Sequence, residues 1–320
     1  MKIIALLPAR NESWILPTYL SSVKPLADEI IAINDRSTDN TRQILEDAGA
    51  KVYENSEFLK SGWAEFSTRQ KLLELGRQSG GTHFIILDAD ETLSANFIKN
   101  GREAIERLQP GQKLVFPWLF LWKSSGFYMD DKRCLFSNNS KDIIFCDKPD
   151  LKYDYSFMHV DRTPGPKTPE TIVNINKKDG VCFHFAYVDF KNSLLQQAWL
   201  RCSDLIQEKK NYVKINNKYY LPKGGDLNLS SVPGEWLKGL TLPAEPENLP
   251  HSWHLPAILD FFDKYGIEFF EPLEIWDISE LNDEFIKRVG RKPKSSKAHI
   301  YLQPIIKLRR KLISIRNKKI

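Results

Sequence analysis

The chain has 320 residues, 42% of them hydrophobic and 12% aromatic, enough to close one large α/β domain with additions. Cys134, Cys146, Cys182 and Cys202 show no Cys-x-x-Cys spacing, which argues against a zinc site or a disulfide scaffold and for buried thiols in a reduced, cytoplasmic protein. No apolar window is long enough to span a bilayer, and Lys2 to Leu7 is too short for a signal peptide.

Lys2 to Leu7 has strand length and stops at Pro8-Ala9-Arg10-Asn11-Glu12-Ser13, after which Trp14 to Val23 has helical spacing. Glu29 to Asn34 forms a second strand that ends on Asp35. The turn residues Arg36-Ser37-Thr38-Asp39-Asn40 follow, with Asp39 or Asn40 capping a helix from Thr41 to about Ala48. Lys51 to Glu54 is a short third strand and Gly62 to Gln78 a long helix. The next strand, from Phe84, delivers Asp88-Ala89-Asp90-Glu91 into solvent ahead of a segment that starts near Ser94. On an extended backbone Asp88 and Asp90 point the same way, so one grips a hard cation while the other reaches metal-bound water or a ribose. Strands alternating with helices predict a mostly parallel sheet covered on both faces, whose ligands lie at the carboxyl ends of the strands. Pro8 to Glu12, Asp35 and Asp88 to Asp90 all fall at such ends.

Leu7-Pro8-Ala9-Arg10-Asn11-Glu12, Asn34 to Thr41 and Leu87-Asp88-Ala89-Asp90-Glu91, in this order and spacing, resemble the family 2 glycosyltransferases of the GT-A fold. The resemblance covers roughly the first 120 residues. It implies an α/β, Rossmann-like sheet and a metal-assisted transferase that uses a nucleotide-sugar donor. By the same resemblance Pro8, Ala9, Arg10 and Glu12 line the nucleotide pocket, together with Ala89 between the two aspartates. Asp35 lies at the base or ribose and makes a uridine nucleotide the favoured donor class, although Asn34 and Arg36 stand where the commoner family pattern has further acid and glycine. Arg69 matches a basic position directed at the diphosphate. Asp88 and Asp90 hold Mn²⁺ or Mg²⁺.

The second half diverges more. Gln112 to Trp122 is apolar and predicts a strand with an edge turn at Pro117. Lys132-Arg133-Cys134-Leu135-Phe136 resembles a strand of bacterial lipopolysaccharide-core and related cell-surface glycan transferases, which precedes a His-acidic pair, here His159-Val160-Asp161. In inverting members a carboxylate in this place acts as general base on the acceptor hydroxyl, so Asp161 is the candidate, with Asp154 and Asp150 as rivals. The plain alternative for Asp161 is a surface aspartate paired with Arg162. Val181 to Phe185 alternates as a strand with His184 inside it, and the resemblance makes His184 a metal ligand ahead of a helix from Asn192 to Gln207. His251-Ser252-Trp253-His254 is taken as an acceptor-side loop. Gly165 to Lys178, Lys209 to Asp226 and Val232 to Pro250 are expected to be loops.

From Lys287 onward the chain carries thirteen basic residues and no acid, whereas the preceding 286 residues carry 33 basic against 41 acidic side chains. After Pro304, Ile305, Leu308, Leu312 and Ile315 share one helical face, a pattern expected to bind an anionic membrane surface on the inner face of the cytoplasmic membrane. The alternative is a tail packed back on the acidic body; no nucleic-acid partner is expected. The organisation so read is a nucleotide-sugar-binding half (1–120), an acceptor and catalytic half (121–230), an extension (231–286) and a basic amphipathic tail (287–320). The function expected is inverting transfer from a nucleotide-diphosphate sugar to a hydroxyl of a glycan or lipid-linked acceptor. The competing classes are a nucleotidyltransferase, which Pro8 to Glu12 disfavours by lacking glycines, and a non-catalytic glycan-binding descendant of the fold.

Overall fold

The structure is a computed structural model and describes residues 1–55, 65–131, 139–155, 160–208, 211–219, 227–244 and 253–294. The chain divides into two compact units, one of Met1–Asp130, Leu135–Val188 and Asn228–Leu249, the other of Asp131–Cys134, Asp189–Leu227 and Pro250–Ile320.

The first unit is built on a nine-stranded sheet. Strands β1 (Ile3–Ala9), β2 (Glu29–Asn34), β3 (Lys51–Glu54) and β4 (His83–Ile86) run parallel in the order β3-β2-β1-β4. Every residue of β1 is buried, as a central strand covered on both faces requires. Helices α1 (Leu16–Val23), α2 (Thr41–Asp47) and α3 (Glu65–Gln78) connect these strands. Helix α3 turns Leu72, Leu73 and Leu75 onto Ile4, Leu6, Ile31, Ile33 and Phe84. Burying such side chains stabilises the unit by roughly 1.5–3 kcal/mol each. This is the GT-A, Rossmann-like α/β architecture expected from the sequence.

Beyond β4 come the short β5 (Glu91–Leu93), helix α4 (Ala95–Glu106), β6 (Lys113–Phe120), β7 (Phe127–Met129), β8 (Asn139–Cys146), β9 (Ile172–Asn174) and β10 (Cys182–His184). Strand β8 is antiparallel to both β4 and β6, and β10 lies parallel to β6 and antiparallel to β5. Pro117 sits inside β6 rather than at an edge turn: its outer side pairs with β9 up to Val115 and with β10 from Trp118, so Pro117 occupies the gap between the two ladders. Strand β9 lies within the stretch 165–178 expected to be loop. Strand β11 (Leu229–Ser231) pairs with β7, and the single-turn helix α7 (Gly234–Leu237) lies in 232–250, also expected to be loop.

The second unit is helical. Helices α5 (Phe190–Glu208), α6 (Tyr212–Lys218), α8 (His254–Tyr265) and α9 (Ser279–Val289), with a 3-10 turn at Ile267–Phe270, close on Cys202, Ile215, Ile258, Phe262, Phe270, Leu281 and Phe285. Helix α6 falls in the 209–226 stretch expected to be loop, and its N-cap Asn211 accepts from the Val213 N–H at 2.8 Å. His254 opens α8 instead of lying in an acceptor-side loop, while His251 and Ser252 fall outside the described residues. The stretch expected to be a basic tail starts as helix: Lys287 and Arg288 belong to the last turn of α9 and pair with Glu284, and Arg291 grips Glu271. Residues 295–320, which carry the expected membrane-binding face, lie outside the described residues. No described helix is long and apolar enough to cross a membrane. Cys146, Cys182 and Cys202 are free and buried, and Cys134 lies outside the described residues.

Candidate active site

The first wall of the site is the pair of loops that leave β1 and β2. Pro8 and Ala9 are the last residues of β1, at a level where β4 has stopped pairing, so the missing Pro8 N–H leaves no gap in that ladder. Past Ala9 the backbone turns sharply. Asn11 and, on the neighbouring loop, Arg36 both adopt φ of 54°, a left-handed conformation that costs a non-glycine residue of order 1 kcal/mol or more. Cross-loop hydrogen bonds hold it. Asn11 N–H donates to Ser37 Oγ (2.9 Å), Glu12 N–H to Thr41 Oγ1 (2.7 Å) and Ser13 N–H to Asp39 Oδ2 (3.0 Å), while Asn11 Oδ1 accepts from Thr38 N–H (2.7 Å). The turn-forming composition of residues 37–41 thus has a second use, as acceptors for the β1 loop. Burial would raise the Asp39 carboxyl, but its hydrogen bonds from Ser13 and Thr41 keep it below the ordinary range.

Asp35 is wholly buried in this wall, not presented to solvent. Its Oδ1 accepts from Asn55 Nδ2 at 2.7 Å, and Arg10 Nη1 stands 3.4 Å from Oδ2. Beside it, Asn34, Arg36, Asp39 and Glu54 line a polar groove of about 450 Å³.

The second wall is the end of β4. Beyond Ile86 the chain makes a tight turn in which Glu91 N–H donates to Asp88 O (3.0 Å) and the Glu91 carboxylate returns to accept from Asp88 N–H (3.0 Å). Arg69, from α3, places Nη2 3.0 Å from Asp88 Oδ1 and Nε 3.2 Å from Glu65. It is 3% exposed, so it is no ordinary surface arginine. Arg162 meets the same Asp88 Oδ1 in a close contact and gives its other amine to Glu91 at 2.9 Å. Burial pushes the Asp88 carboxyl up, but the two guanidiniums outweigh it and hold Asp88 far below the ordinary range. Glu91, fully buried, is raised, because burial outweighs Arg162.

Asp90 has a different partner. Its Oδ2 lies 3.1 Å from His184 Nε2, and the sheet explains the meeting: β10 pairs with β5 so that His184 stands opposite Glu91, and Phe185 N–H donates to Asp90 O at 2.8 Å. His184 stacks on Trp118, ring centroids 4.8 Å apart, with Phe120 edge-on. Burial opposes its protonation, but Asp90 raises its pKa above the ordinary histidine value. Glu12 completes this acidic side: burial and then the charges of Asp90, Asp88 and Asp39 raise its pKa well above the usual carboxyl range.

The structure therefore brings together Glu12, Arg69, Asp88, Ala89, Asp90 and His184. Asp161 is elsewhere engaged. Its side chain is 69% exposed and takes Lys167 at 2.8 Å, which also bridges to Asp142. Among the described residues no ion pair joins Asp161 to Arg162, because Arg162 turns inward to Asp88 and Glu91. Asp150 and Asp154 are exposed, and His159 lies outside the described residues, as does the expected strand at 132–136. Arg162 and Glu91 went unrecognised as site residues; the signal available was that two carboxylates and a buried Glu need more than one cation.

Among the described residues no group of three or more His, Cys, Asp or Glu is gathered closely enough to hold a metal ion. Asp90 and His184 fit as a partial donor set, an oxygen and a nitrogen 3.1 Å apart beside an excess of carboxylate, of the kind that substrate phosphates and water complete. Asp88, claimed by two arginines, fits the role of an organiser better than that of a ligand.

With this geometry in place, the comparisons with known proteins follow its outline. Residues 5–160 match the family model "Glycosyl transferase family 2", and this part of the chain is a family 2 glycosyltransferase domain. A TPR repeat-containing protein of Synechococcus elongatus is 34% identical over 84 residues, 26% of this chain and 19% of that protein. Glucosyl-3-phosphoglycerate synthase of Mycobacterium tuberculosis, crystallised with Mn²⁺, UDP-glucose and phosphoglyceric acid, overlays at 21% identity and a TM-score of 0.28, covering 37% of this chain and 44% of that one. Its complex with UDP overlays at 25% identity and a TM-score of 0.24 over 28% and 34%. The chain thus spans less than half the length of these relatives.

Proposed function

We propose that the chain is a nucleotide-sugar-dependent glycosyltransferase that uses a divalent metal, with a uridine diphosphate sugar as donor and a hydroxyl of a glycan or lipid-linked molecule as acceptor. The observation that carries this reading is the turn at Asp88 and Asp90 inside a family 2 domain, with Arg69 and Arg162 clamping one carboxylate and His184 meeting the other. Asp90 and His184 would hold Mn²⁺ or Mg²⁺, which supplies positive charge to the departing diphosphate. The chain's own part is to bind and to orient. Arg69 and Arg162 keep Asp88 ionised and fixed in rotamer, so that it serves the ribose or metal-bound water without reorganising. The strained loop at Asn11 aims the backbone of Arg10 and Glu12 across the strand ends, and Asp35 fixes Arg10 from beneath. Asp161 is our proposed base in an inverting transfer: its exposure leaves it open to an acceptor hydroxyl, and Lys167 stands 2.8 Å from its carboxylate.

Calorimetry with a panel of nucleoside diphosphates, with and without Mn²⁺, tests the reading. Tightest binding is expected for uridine diphosphate and only with metal, together with quenching of tryptophan fluorescence by Mn²⁺ through the Trp118–His184 stack. Equal, weak titrations for every nucleotide would refute it.

A further inference from the structure

Three strands bring a row of side chains onto one face of the sheet. Lys141 on β8 stands opposite Phe116 on β6, and Phe120 on β6 stands beside His184 on β10. Trp118 lies two residues from each of those β6 partners, hence on the same face. Its ring stacks against His184 and carries the Lys141 ammonium 4.6 Å from its centroid. Arg69, Arg162, Lys113 and Lys167 all find carboxylates or carbonyls, but Lys141 makes no ion pair or hydrogen bond among the described residues. Trp118 is 9% exposed, and its Nε1–H is buried with no hydrogen-bond partner among the described residues. A half-buried cation and a buried donor both left unanswered are costly unless a ligand answers them.

We propose that Lys141 and Trp118 form an oxyanion subsite next to Asp88, Asp90 and His184, one that receives a phosphate group of a substrate. The assignment rests on the transferase reading for its context. The phosphate comes either from the diphosphate of the donor or from a phosphate on the acceptor. Burial, and next the charge of Arg162, lower the Lys141 pKa below the ordinary lysine value, as expected of an ammonium that lacks an anion. Stacking over Trp118 holds the long side chain in place, so little freedom is lost when the anion arrives.

The test is calorimetry on the full chain with two probes: uridine diphosphate with Mn²⁺, and inorganic phosphate titrated with and without saturating uridine diphosphate. Lys141→Met keeps the packing on Trp118 and removes the charge, Lys141→Arg keeps the charge, and Lys141→Gln serves if the methionine variant does not fold. Loss of about tenfold in uridine diphosphate affinity, restored by arginine, assigns the subsite to the donor diphosphate. Unchanged uridine diphosphate affinity with about tenfold weaker phosphate binding to the nucleotide-loaded chain assigns it to the acceptor. Wild-type uridine diphosphate affinity in Lys141→Met, together with phosphate binding that is unchanged in that variant or absent in the wild type, would overturn the subsite. Phosphate binding that depends on Lys141 in a chain that binds no nucleotide would instead sink the transferase reading and leave the subsite standing.

Discussion

Glu91 and Arg162 form a buried ion pair, and the arginine also answers Asp88, whose side chain is one-third exposed. Removing one partner from such a set leaves an uncompensated buried charge, which costs about 3–5 kcal/mol. Arg162→Met should therefore lower the unfolding free energy measured in urea by that amount, with a fall in the midpoint, and Glu91→Gln in the same chain should recover part of it. An unchanged midpoint in Arg162→Met would show that Glu91 is not held by this contact. Asp161 belongs to a different class, exposed and bound to a flexible lysine. Asp161→Asn should bind donor and metal as the wild type does but transfer at least about 10² times more slowly. Near-normal turnover in Asp161→Asn, with loss in Asp154→Asn, would pass the base role to Asp154. These residues also mark what local sequence carries. Carboxylates placed at a strand end expose themselves in the pattern Asp88-Ala89-Asp90, because apolar residues stop where solvent begins. Arg162 stands 71 positions from Glu91, and nothing local distinguishes a buried arginine from a surface one.

At the scale of elements, β2 and β3 have the bounds that hydrophobic runs and turn residues suggest, β2 as a largely buried apolar run and β3 as a short edge strand that stays partly exposed. Strand β10 falls inside the alternation of Val181 to Phe185, whereas β5 and β9, three residues each, exist through pairing with β10 and β6, a tertiary matter that periodicity does not carry. Helix α3 holds one sequence feature whose meaning reverses in the fold. Gly76 in a helix ordinarily costs roughly 1 kcal/mol relative to alanine. Here a Cβ at Gly76 would stand 2.5 Å from Cε1 of Phe84, in the core between α3 and β4. Gly76→Ala should thus destabilise the chain by about 1–3 kcal/mol, the range for overpacking. A rise in the thermal midpoint would mean that Phe84 moves aside at little cost. At the end of α9, basic residues assigned from sequence to the tail are engaged in ion pairs. Hydrogen bonding by Arg291 pulls the Glu271 pKa from the ordinary 4.5 to about 2, and Lys191 does the same for Glu280. Depressed carboxyls contribute stability that is full above pH 4.5 and lost as the pH falls toward 2. The thermal midpoint should fall across that window, and less so in Arg291→Ala; equal slopes would place the loss in other groups.

For the molecule as a whole, the parallel half of the sheet sets three strand ends side by side, and the chain uses each of them for a polar loop. The loops after β1 and β2 are tied by cross-loop hydrogen bonds, and the turn after β4 is held by two arginines and a histidine. That arrangement is legible in the sequence because three motifs recur at strand ends in a fixed order. The wall made by β6, β8 and β10 is not, because its register decides which side chains meet. Donor hydrolysis measured on the full chain with a panel of nucleotide sugars and Mn²⁺, for the wild type beside Asp90→Ala, tests the central claim most directly. The wild type should release the nucleoside diphosphate slowly from a uridine-linked sugar, and Asp90→Ala should retain at most a few per cent of that rate while keeping its thermal midpoint. Hydrolysis of no donor by the wild type, or equal hydrolysis by Asp90→Ala at saturating Mn²⁺, would contradict the assignment of a nucleotide-sugar site to this turn.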